Sequence, residues 1–335
     1  MMKIIISRTD KIGDVILTLP MINVLKEKFQ NLKIVFIGNS YTHPVLNVAS
    51  GIDEILEWDT LMQLSEKERI QTVKQLHADV ILHVFPDKNV TKTALRAGIP
   101  IRIGTSHRLY HWLYCNKLPS FSRKNSELHE AQLNLKLLKP FGIDTIQTVE
   151  QLSQIPLFNK IPEPDEMTRS LIDYNRINII FHPHSKGSAR EWPIEHYIKL
   201  CNLLSPDTFQ IIFCGTQSEA QLYEPFLKKI HRPFSDAGGK LSLSQYMSLI
   251  SKCQALVAAS TGPLHVAAAT GIHAFGIYPP IRPMHAGRWA PLGKHVHILT
   301  KENSCSLCRK STHCQCMEDI LPEMVKSEIE HAFAQ

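Results

Sequence analysis

The stretch from Ile4 to Pro20 constrains the fold more than any other part of this chain. It consists of an apolar strand, a polar loop, Gly13, Asp14 and an apolar helix, in that order. Such a strand-to-helix turn is typical of open α/β sheets, which bind ligands at the carboxyl ends of their strands. No G-x-G-x-x-G sequence follows the strand, so the dinucleotide-binding fingerprint is excluded. Asp14 is therefore a candidate for chemistry, and a helix-start acid is the alternative.

Predicted strands and helices alternate in two series along the 335 residues. The first series contains predicted strands over residues 3–7, 33–38, 80–84 and 102–104. The second contains predicted strands over residues 178–183, 209–214, 255–259, 273–277 and 296–299. Because strands separated by helices pair in parallel, each series predicts a parallel sheet. A proline-punctuated linker is predicted over residues 153–165, and one helix over residues 14–29, in which Pro20 should introduce a kink or mark the solvent side.

The charge of the chain is uneven, although its net value is only +6. One acid, Asp87, stands against eight cations between residues 86 and 124, namely Lys88, Lys92, Arg96, Arg102, Arg108, Lys117, Arg123 and Lys124. Aromatic residues such as Tyr110 and Trp112 interleave with them. Such a surface suits a phosphorylated ligand, an anionic membrane or nucleic acid, and a solvated face is the alternative. No nucleic-acid-reading motif accompanies the charge, so we expect no nucleic-acid partner.

Four cysteines cluster near the C-terminus, at Cys305, Cys308, Cys314 and Cys316, with His313 beside them. No apolar run is long enough to span a bilayer and no signal peptide precedes Arg8, which favours a cytoplasmic protein. Cysteines stay reduced in that compartment, so a structural zinc or iron site is weighed ahead of disulfides. The spacing C-x-x-C followed by C-x-C differs from that of the common zinc folds.

Residues 181–193 join a strand to a helix through a polar loop in the second half of the chain. Ser185 and its neighbours would expose amides and hydroxyls, while Lys186 and Arg190 supply positive charge. Together with the positive end of the following helix, this is an environment for a diphosphate, without the spacing of a P-loop. A polar loop with two exposed cations is the alternative.

A second candidate site follows the strand at residues 255–259. Ser260 or Thr261 would cap a helix there, and the free amides at Thr261 and Gly262 would point out of the carboxyl end of the sheet. His265 lies in the same helix, and by itself it is more typical of a structural histidine than of a catalyst.

Glu219 follows the strand at residues 209–214 and would hold ribose hydroxyls, as acids do in nucleotide-binding folds. A favourable first-turn helix acid is the alternative. The chain has no D-x-D triplet, so a metal-bridged diphosphate is not predicted. The charge of a leaving diphosphate would instead be met by Lys186, Arg190 and helix-end amides.

In this order and spacing, the motifs resemble those of the heptosyltransferases of glycosyltransferase family 9. The matching stretches are Arg8 to Pro20, Gly98 to Gly104, Arg190 to Pro193, Gly215 to Glu219 and Thr261 to His265. The resemblance covers nearly the whole chain. It implies an α/β fold of the GT-B type, with two Rossmann-like parallel-sheet domains that face each other across a cleft.

The resemblance also implies an inverting glycosyltransferase that requires no cofactor for catalysis. Such an enzyme moves heptose from ADP-L-glycero-D-manno-heptose onto a lipopolysaccharide core or a related glycan. Asp14 matches the catalytic base of the family, and an aspartate with an ordinary pKa is ionised at neutral pH and needs no tuning. Arg190 matches a diphosphate-binding lysine and Glu219 the acid that contacts ribose. Thr261 and Gly262 match the amides that hold the donor phosphates.

Ser260 departs from the family pattern, because heptose-specific members have aspartate before the Thr/Ser-Gly pair. This serine is expected to contact hydroxyls of the donor sugar. A transferase that uses a UDP-hexose or UDP-hexosamine therefore remains an alternative, as do a nucleotide-sugar epimerase of similar architecture and a catalytically silent binding protein.

Three segments are expected: an acceptor-binding domain over residues 1–160, a nucleotide-sugar-binding domain over residues 161–318 and a C-terminal helix over residues 319–335 that packs back toward the first domain. The expected acceptor-binding residues are Arg8, Lys11, Arg102, Arg108 and Lys117. The expected partners are an ADP-heptose donor and an anionic glycolipid acceptor, with peripheral contact at the cytoplasmic face of the inner membrane.

Overall fold

The computed structural model describes residues 1–124, 126–187, 189–301, 308 and 314–334. The chain divides into two compact units, Met1–Lys160 and Ile161–Gln335, and each contains one parallel sheet. The division falls inside the proline-punctuated segment. Within the described residues, no helix combines the length and the apolar character that crossing a bilayer needs.

The sheet of the first unit has five parallel strands in the order β3-β2-β1-β4-β5. These are β1 (Lys3–Ser7), β2 (Lys33–Gly38), β3 (Glu54–Glu57), β4 (Val80–His83) and β5 (Ile101–Ile103). The isoleucines of the central strand β1 are fully buried, because both faces of the sheet are covered. Strand β3 is absent from the sequence prediction, because it is only four residues long, is partly exposed, and begins and ends with a glutamate.

The helices of the first unit are α1 (Ile12–Ile16), α2 (Pro20–Lys28), α3 (His43–Val48), α4 (Trp58–Leu61), α5 (Glu66–Gln75), α6 (Lys88–Arg96), α7 (Leu109–Tyr114), α8 (Glu130–Leu135) and α9 (Val149–Ser153). The prediction of one helix over residues 14–29 is wrong. Pro20 has no N–H to donate, so the chain starts a new helix there instead of continuing the old one.

The sheet of the second unit has six parallel strands in the order β11-β10-β9-β6-β7-β8. These are β6 (Ile177–His182), β7 (Phe209–Phe213), β8 (Ser235–Asp236), β9 (Ala255–Ala259), β10 (His273–Tyr278) and β11 (Val296–Thr300). Strands β6 and β9 are adjacent in the middle of the sheet. Strands β7 and β8 follow β6 toward one edge, and β10 and β11 follow β9 toward the other.

The helices of the second unit are α10 (Glu166–Arg169), α11 (Ile194–Leu203), α12 (Gln217–Leu227), α13 (Leu243–Lys252), α14 (Gly262–Thr270), α15 (Ala286–Trp289), α16 (Gln315–Glu318) and α17 (Pro322–Phe333). Helix α17 packs against α11, and its residues Val325 and Ile329 lie in the core beside Trp192. The C-terminal helix, which the sequence analysis set apart, therefore belongs to the core of this unit.

Candidate active site

The strand order of the first sheet reverses at β1, because β2 and β3 lie on one side of it and β4 and β5 on the other. Open α/β sheets bind ligands at the carboxyl ends of strands at such a reversal. The loop after β1 carries Arg8 and Asp10, and Asp14 lies in the first turn of α1. The predicted catalytic aspartate is thus at the ligand-binding edge of its sheet.

Arg8 is the centre of an ion network at this edge, and only 4% of its side chain is exposed. Its Nε donates to Oδ1 of Asp10 at 2.6 Å, and one terminal nitrogen donates to Oδ1 of Asp14. The other terminal nitrogen lies 3.4 Å from both Oε1 of Glu130 and Oδ1 of Asn134. One buried guanidinium therefore binds three carboxylates and fixes the orientation of Asp14.

Helix α8 supplies the far wall of this network. Glu130 lies 122 residues after Arg8 in the chain, and 3% of its side chain is exposed. Its carboxylate also pairs with Arg123, which donates to Oδ1 of Asn134 at 3.0 Å. The amide nitrogen of Asn134 donates to the main-chain oxygen of Leu17 at 3.0 Å. These bonds tie α8 to the end of α1.

Burial and charge act against each other on the groups of the network. Burial raises the pKa of Asp14 to about 6, against the opposing charge of Arg8. The carboxylates of Asp10 and Glu130 add to this rise. Burial would lower the pKa of Arg8, but the three carboxylates outweigh it and the pKa is raised. Asp14 is therefore ionised at neutral pH and accepts a proton more readily than the ordinary aspartate that the sequence predicts.

The other predicted acceptor-binding residues are spread over the first unit. Lys11 is exposed and precedes α1, while Arg108 and Lys117 are exposed on either side of α7. Arg102 is bound to the protein itself, because its Nε donates to the main-chain oxygen of Tyr114 at 2.7 Å and a terminal nitrogen donates to a carbonyl of the preceding turn at 3.2 Å. Arg102 thus braces the turn around β5.

In the second unit the loops that follow β7, β6 and β9 lie side by side, because these three strands are neighbours and parallel. These loops and the first turns of the helices that follow them carry all the predicted donor-binding residues. His182 ends β6, and burial lowers its pKa to about 4. The charge of Glu219, in the first turn of α12 after β7, opposes that shift, so the segments after β6 and β7 interact electrostatically.

Helix α14 begins at Gly262, directly after β9, with Thr261 as its N-cap residue. Thr261 is buried, and its hydroxyl makes no hydrogen bond to any residue that the structure describes. The first amides of α14 also lack intrahelical partners, as in every helix, so hydroxyl and amides together would accommodate an anion. The Ser260 hydroxyl shares a hydrogen bond with Tyr278, and His265 is buried in the first turn of α14.

Glu191 organises the loop after β6. Its Oε1 accepts hydrogen bonds from the main-chain nitrogen of Ser185 at 2.6 Å and from the Ser185 hydroxyl at 2.9 Å. Its Oε2 lies 2.9 Å from Nδ1 of His184. Burial acts to raise the pKa of Glu191, but the hydrogen bonds from His184 and Ser185 prevail and lower it. The Ser185 hydroxyl is therefore already engaged within the loop.

The two predicted diphosphate-binding cations differ in their surroundings. Lys186 is exposed and has a left-handed backbone with φ of 47°. A terminal nitrogen of Arg190 donates to the main-chain oxygen of Cys308 at 3.1 Å. Lys186 thus combines an unusual backbone conformation with an exposed side chain, whereas Arg190 hydrogen-bonds to the segment near the C-terminus.

Glu219 performs the structural role that was its alternative. Its Oε2 accepts hydrogen bonds from the main-chain nitrogen of Thr216 at 2.7 Å and from the Thr216 hydroxyl at 2.8 Å, which completes the capping box of α12. Both of these capping bonds use Oε2.

The predicted metal site is described only in part. Cys305 lies outside the described residues. Cys308, Cys314 and Cys316 are buried in the core of the second unit, and the sulfur atoms of Cys308 and Cys316 are 3.8 Å apart. In the part of the chain that the structure describes, no group of three or more His, Cys, Asp or Glu side chains is arranged to hold a metal ion.

Sequence reasoning missed four residues that build these sites. Asp10 lies between Arg8 and Asp14 in the sequence, so its proximity to both was visible there. Glu191 is within a quoted motif, R-E-W-P, which signalled its importance without its role. Glu130 and Asn134 have no local signal, because they reach Arg8 only through the folded chain.

The sequence profile of glycosyltransferase family 9 (heptosyltransferase) matches residues 70–317. The chain belongs to this family. Lipopolysaccharide heptosyltransferase 2 of Escherichia coli K12 is 21% identical to it over 350 residues, which cover 98% of this chain and 97% of that protein.

Solved structures of family 9 enzymes share the fold. The glycosyl transferase family 9 protein of Veillonella parvula has a TM-score of 0.79 at 18% identity, with 98% of this chain and 96% of that chain covered. Escherichia coli ADP-heptose lipopolysaccharide heptosyltransferase II has a TM-score of 0.72 at 18% identity, with 99% and 98% covered. The predicted α/β fold of the GT-B type is confirmed, and this family 9 member is a glycosyltransferase.

Proposed function

We propose that this family 9 glycosyltransferase transfers heptose, with inversion, from ADP-L-glycero-D-manno-heptose to a lipopolysaccharide core acceptor. Asp14 takes the proton of the acceptor hydroxyl while that oxygen forms a bond to the anomeric carbon. The bond between the anomeric carbon and the diphosphate oxygen breaks, and ADP leaves with the electron pair. The names of the relatives support the donor and acceptor classes.

The ion network around Asp14 is the observation that carries this proposal. Arg8 binds Oδ1 of Asp14, and Oδ2 makes no hydrogen bond to any of the described residues. A carboxylate held by one oxygen keeps the other available for a proton. A pKa of about 6 suits a general base at neutral pH, because the group is ionised and still accepts a proton readily.

The second unit would hold the donor diphosphate through main-chain amides, a hydroxyl and two cations. The amides at the start of α14, the Thr261 hydroxyl and the exposed Lys186 would receive the charge that develops on departing ADP. Arg190 would add its charge from its position beside Cys308. Oε1 of Glu219 would accept from the ribose hydroxyls while Oε2 caps α12.

The exposed cations of the first unit would meet an anionic acceptor. Lys11 is near Asp14 in the chain, and Arg108 and Lys117 flank α7. Arg102 is bound to main-chain carbonyls and would act by supporting this surface instead of contacting the acceptor. A glycolipid acceptor would place the protein at a membrane surface.

Replacement of the proposed base tests the function. Asp14→Asn keeps the shape of the side chain but cannot take up the proton, so transfer from ADP-heptose to a core oligosaccharide should fall about 10²–10⁴-fold. Binding of ADP-heptose, measured by calorimetry, should stay unchanged, because Asp14 belongs to the other unit. Asp144→Asn, at an exposed acid of the first unit, is the matched control and should leave both quantities unchanged. Full transfer activity in Asp14→Asn would contradict the assignment of Asp14 as the base.

The donor is tested separately, by the rise in melting temperature with ADP-, UDP-, GDP- and CMP-sugars. The proposal expects stabilisation by ADP-heptose above all. Stabilisation by a UDP-sugar alone would assign the protein to a hexose or hexosamine transferase, in line with Ser260. Donor conversion without an acceptor would instead support an epimerase.

A further inference from the structure

Helix α7 presents an apolar face that the first unit does not cover. Leu109, Trp112 and Leu113 lie three and four residues apart, so they project from one side of the helix. Their exposed fractions are 88%, 63% and 72%. Single exposed apolar residues are ordinary, but three large side chains on one short helix form a patch.

This exposed face is rigidly supported from below. His111 is fully buried on the opposite side of α7, and the main-chain nitrogen of Thr105 lies 3.0 Å from its Nδ1. The helix sits tightly on Gly104, where an added Cβ would come within 2.6 Å of His111. The Trp112 indole N–H donates to the main-chain oxygen of Ser106 at 2.8 Å. The apolar side chains are therefore presented outward by a fixed helix.

The surroundings of α7 are positively charged. Residues 88–124 contain eight Lys and Arg side chains and no Asp or Glu. Several of them are bound elsewhere: Lys92 and Arg96 pair with Glu66, and Arg123 pairs with Glu130.

Two cations remain directly beside the apolar face. Arg108 immediately precedes α7 and Lys117 follows it by three residues, and both are exposed. Neither forms an ion pair with another described residue. An apolar tip beside cations is the combination with which proteins bind the surface of an anionic bilayer, where tryptophan is also favoured.

We propose that α7 is a membrane-docking element that inserts Leu109, Trp112 and Leu113 into the headgroup region of an anionic bilayer. Arg108 and Lys117 bind lipid phosphates beside it. A second copy of this chain is a poorer occupant, because symmetric pairing of two α7 faces would bring these cations against each other.

The position of α7 gives this docking a purpose, and that purpose rests on the proposed function. The ring of His111 lies 6.0 Å from that of His83, which ends β4, so α7 stands at the carboxyl end of the first sheet. Asp14 lies at the same end. Docking through α7 would bring the edge with the proposed base toward the surface that holds a glycolipid acceptor.

Vesicle binding by the full chain tests the proposal. We expect sedimentation with vesicles of phosphatidylglycerol and phosphatidylcholine, and at least tenfold weaker sedimentation with phosphatidylcholine alone. The triple variant Leu109→Gln/Trp112→Gln/Leu113→Gln should lose at least tenfold in binding to the anionic vesicles. The control variant Tyr174→Gln/Leu222→Gln/Met324→Gln removes three exposed apolar side chains of the second unit and should bind as the native chain does.

Tryptophan fluorescence locates the contact. Trp58 and Trp192 are buried and Trp289 is partly buried, so Trp112 is the most exposed indole of the chain's four tryptophans. Anionic vesicles should shift its emission to shorter wavelength, and Trp112→Phe should abolish the shift while vesicles still sediment the protein. Equal sedimentation of the native chain and the triple glutamine variant would overturn the proposal. Self-association of the native chain that the triple variant abolishes, without vesicle binding, would assign α7 to a dimer interface instead.

Activity on a delipidated core oligosaccharide separates this proposal from the proposed function. The triple glutamine variant should keep full transfer to that soluble acceptor and lose transfer to the glycolipid in vesicles. Loss of vesicle binding alone leaves the enzyme assignment intact. Vesicle binding by a protein that binds no ADP-sugar would contradict the proposed function and leave the docking element in place.

Discussion

The carboxyl ends of the two sheets differ in their charged groups. In the first unit, Arg8 and Arg123 share Asp10, Asp14 and Glu130 in a closed and largely buried network. In the second, the corresponding edge presents helix-start amides and the unpartnered Thr261 hydroxyl within the described residues. In the proposed function, the first edge holds one charge ready for a proton, whereas the second receives the charge that arrives with a ligand.

Arg8→Met should produce the largest effect, because it leaves buried carboxylates without their shared cation. We expect a loss of about 3–5 kcal/mol in the free energy of unfolding, measured by urea denaturation. Arg96→Met removes an exposed pair with Glu66, so its effect on the free energy of unfolding should be small beside that of Arg8→Met. Similar losses in the free energy of unfolding for the two variants would mean that Arg8 does not stabilise the buried carboxylates together.

The pH dependence of transfer tests the ion network of the first unit. Asp14 has a pKa of about 6, so the rate should fall about tenfold per pH unit below that value as the base becomes protonated. The negative charge of Asp10 raises the pKa of Asp14, so Asp10→Asn should move the acidic limb of the pH–rate profile to lower pH. Asp144→Asn is the control. A shift to higher pH would contradict the assigned coupling.

Thr261→Val addresses the second edge and should have a smaller effect. The lost hydroxyl has no partner among the described residues, so the free energy of unfolding should hardly change. Binding of ADP-heptose should weaken about two- to tenfold, as loss of one hydrogen bond predicts. Thr42→Val is the matched contrast: the Thr42 hydroxyl donates to the main-chain oxygen of Asn39 at 2.7 Å, and its loss should cost about 1 kcal/mol in stability and no donor affinity.

Glu219→Gln should have the smallest effect on stability. Glutamine also completes a capping box, so the free energy of unfolding should change by less than about 0.5 kcal/mol, whereas Glu219→Ala should lose about 1 kcal/mol. Calorimetry with ADP-heptose then reports whether the charge contributes to ribose binding. Unchanged affinity in Glu219→Gln would leave Glu219 with its capping role alone.

The sheets were predictable because strands buried on both faces are continuous apolar runs. Nine strands were placed within a residue or two of their observed bounds, as for β1, β2 and β9. Strands β3 and β8 were not predicted, because β3 begins and ends with a glutamate and β8 has only two residues. The helix predicted over residues 14–29 failed at Pro20, where a kink or a solvent-facing side was expected and a new helix begins.

The two edges were predictable to different degrees. The second is built from turns in which a cap residue and its helix are adjacent in sequence, so Thr261 and Glu219 could be found by local motif. The first depends on Glu130 and Asn134, which approach Arg8 only after the chain has folded. The raised pKa of Asp14 comes first from burial, then from Asp10 nearby in the sequence and from the distant Glu130. Burial and the approach of Glu130 exist only in the folded chain, so no local pattern could have indicated the full rise.

The separation of 122 residues between Arg8 and Glu130 also determines when, during synthesis, the ion network can form. A ribosome releases the N-terminal strand long before it reaches α8, so a nascent chain carries its arginine and two aspartates without their closing partner. Contacts of such long range form slowly, since a large loop must close first. The edge that carries Asp14 can therefore be completed only when nearly the whole first unit has been synthesised.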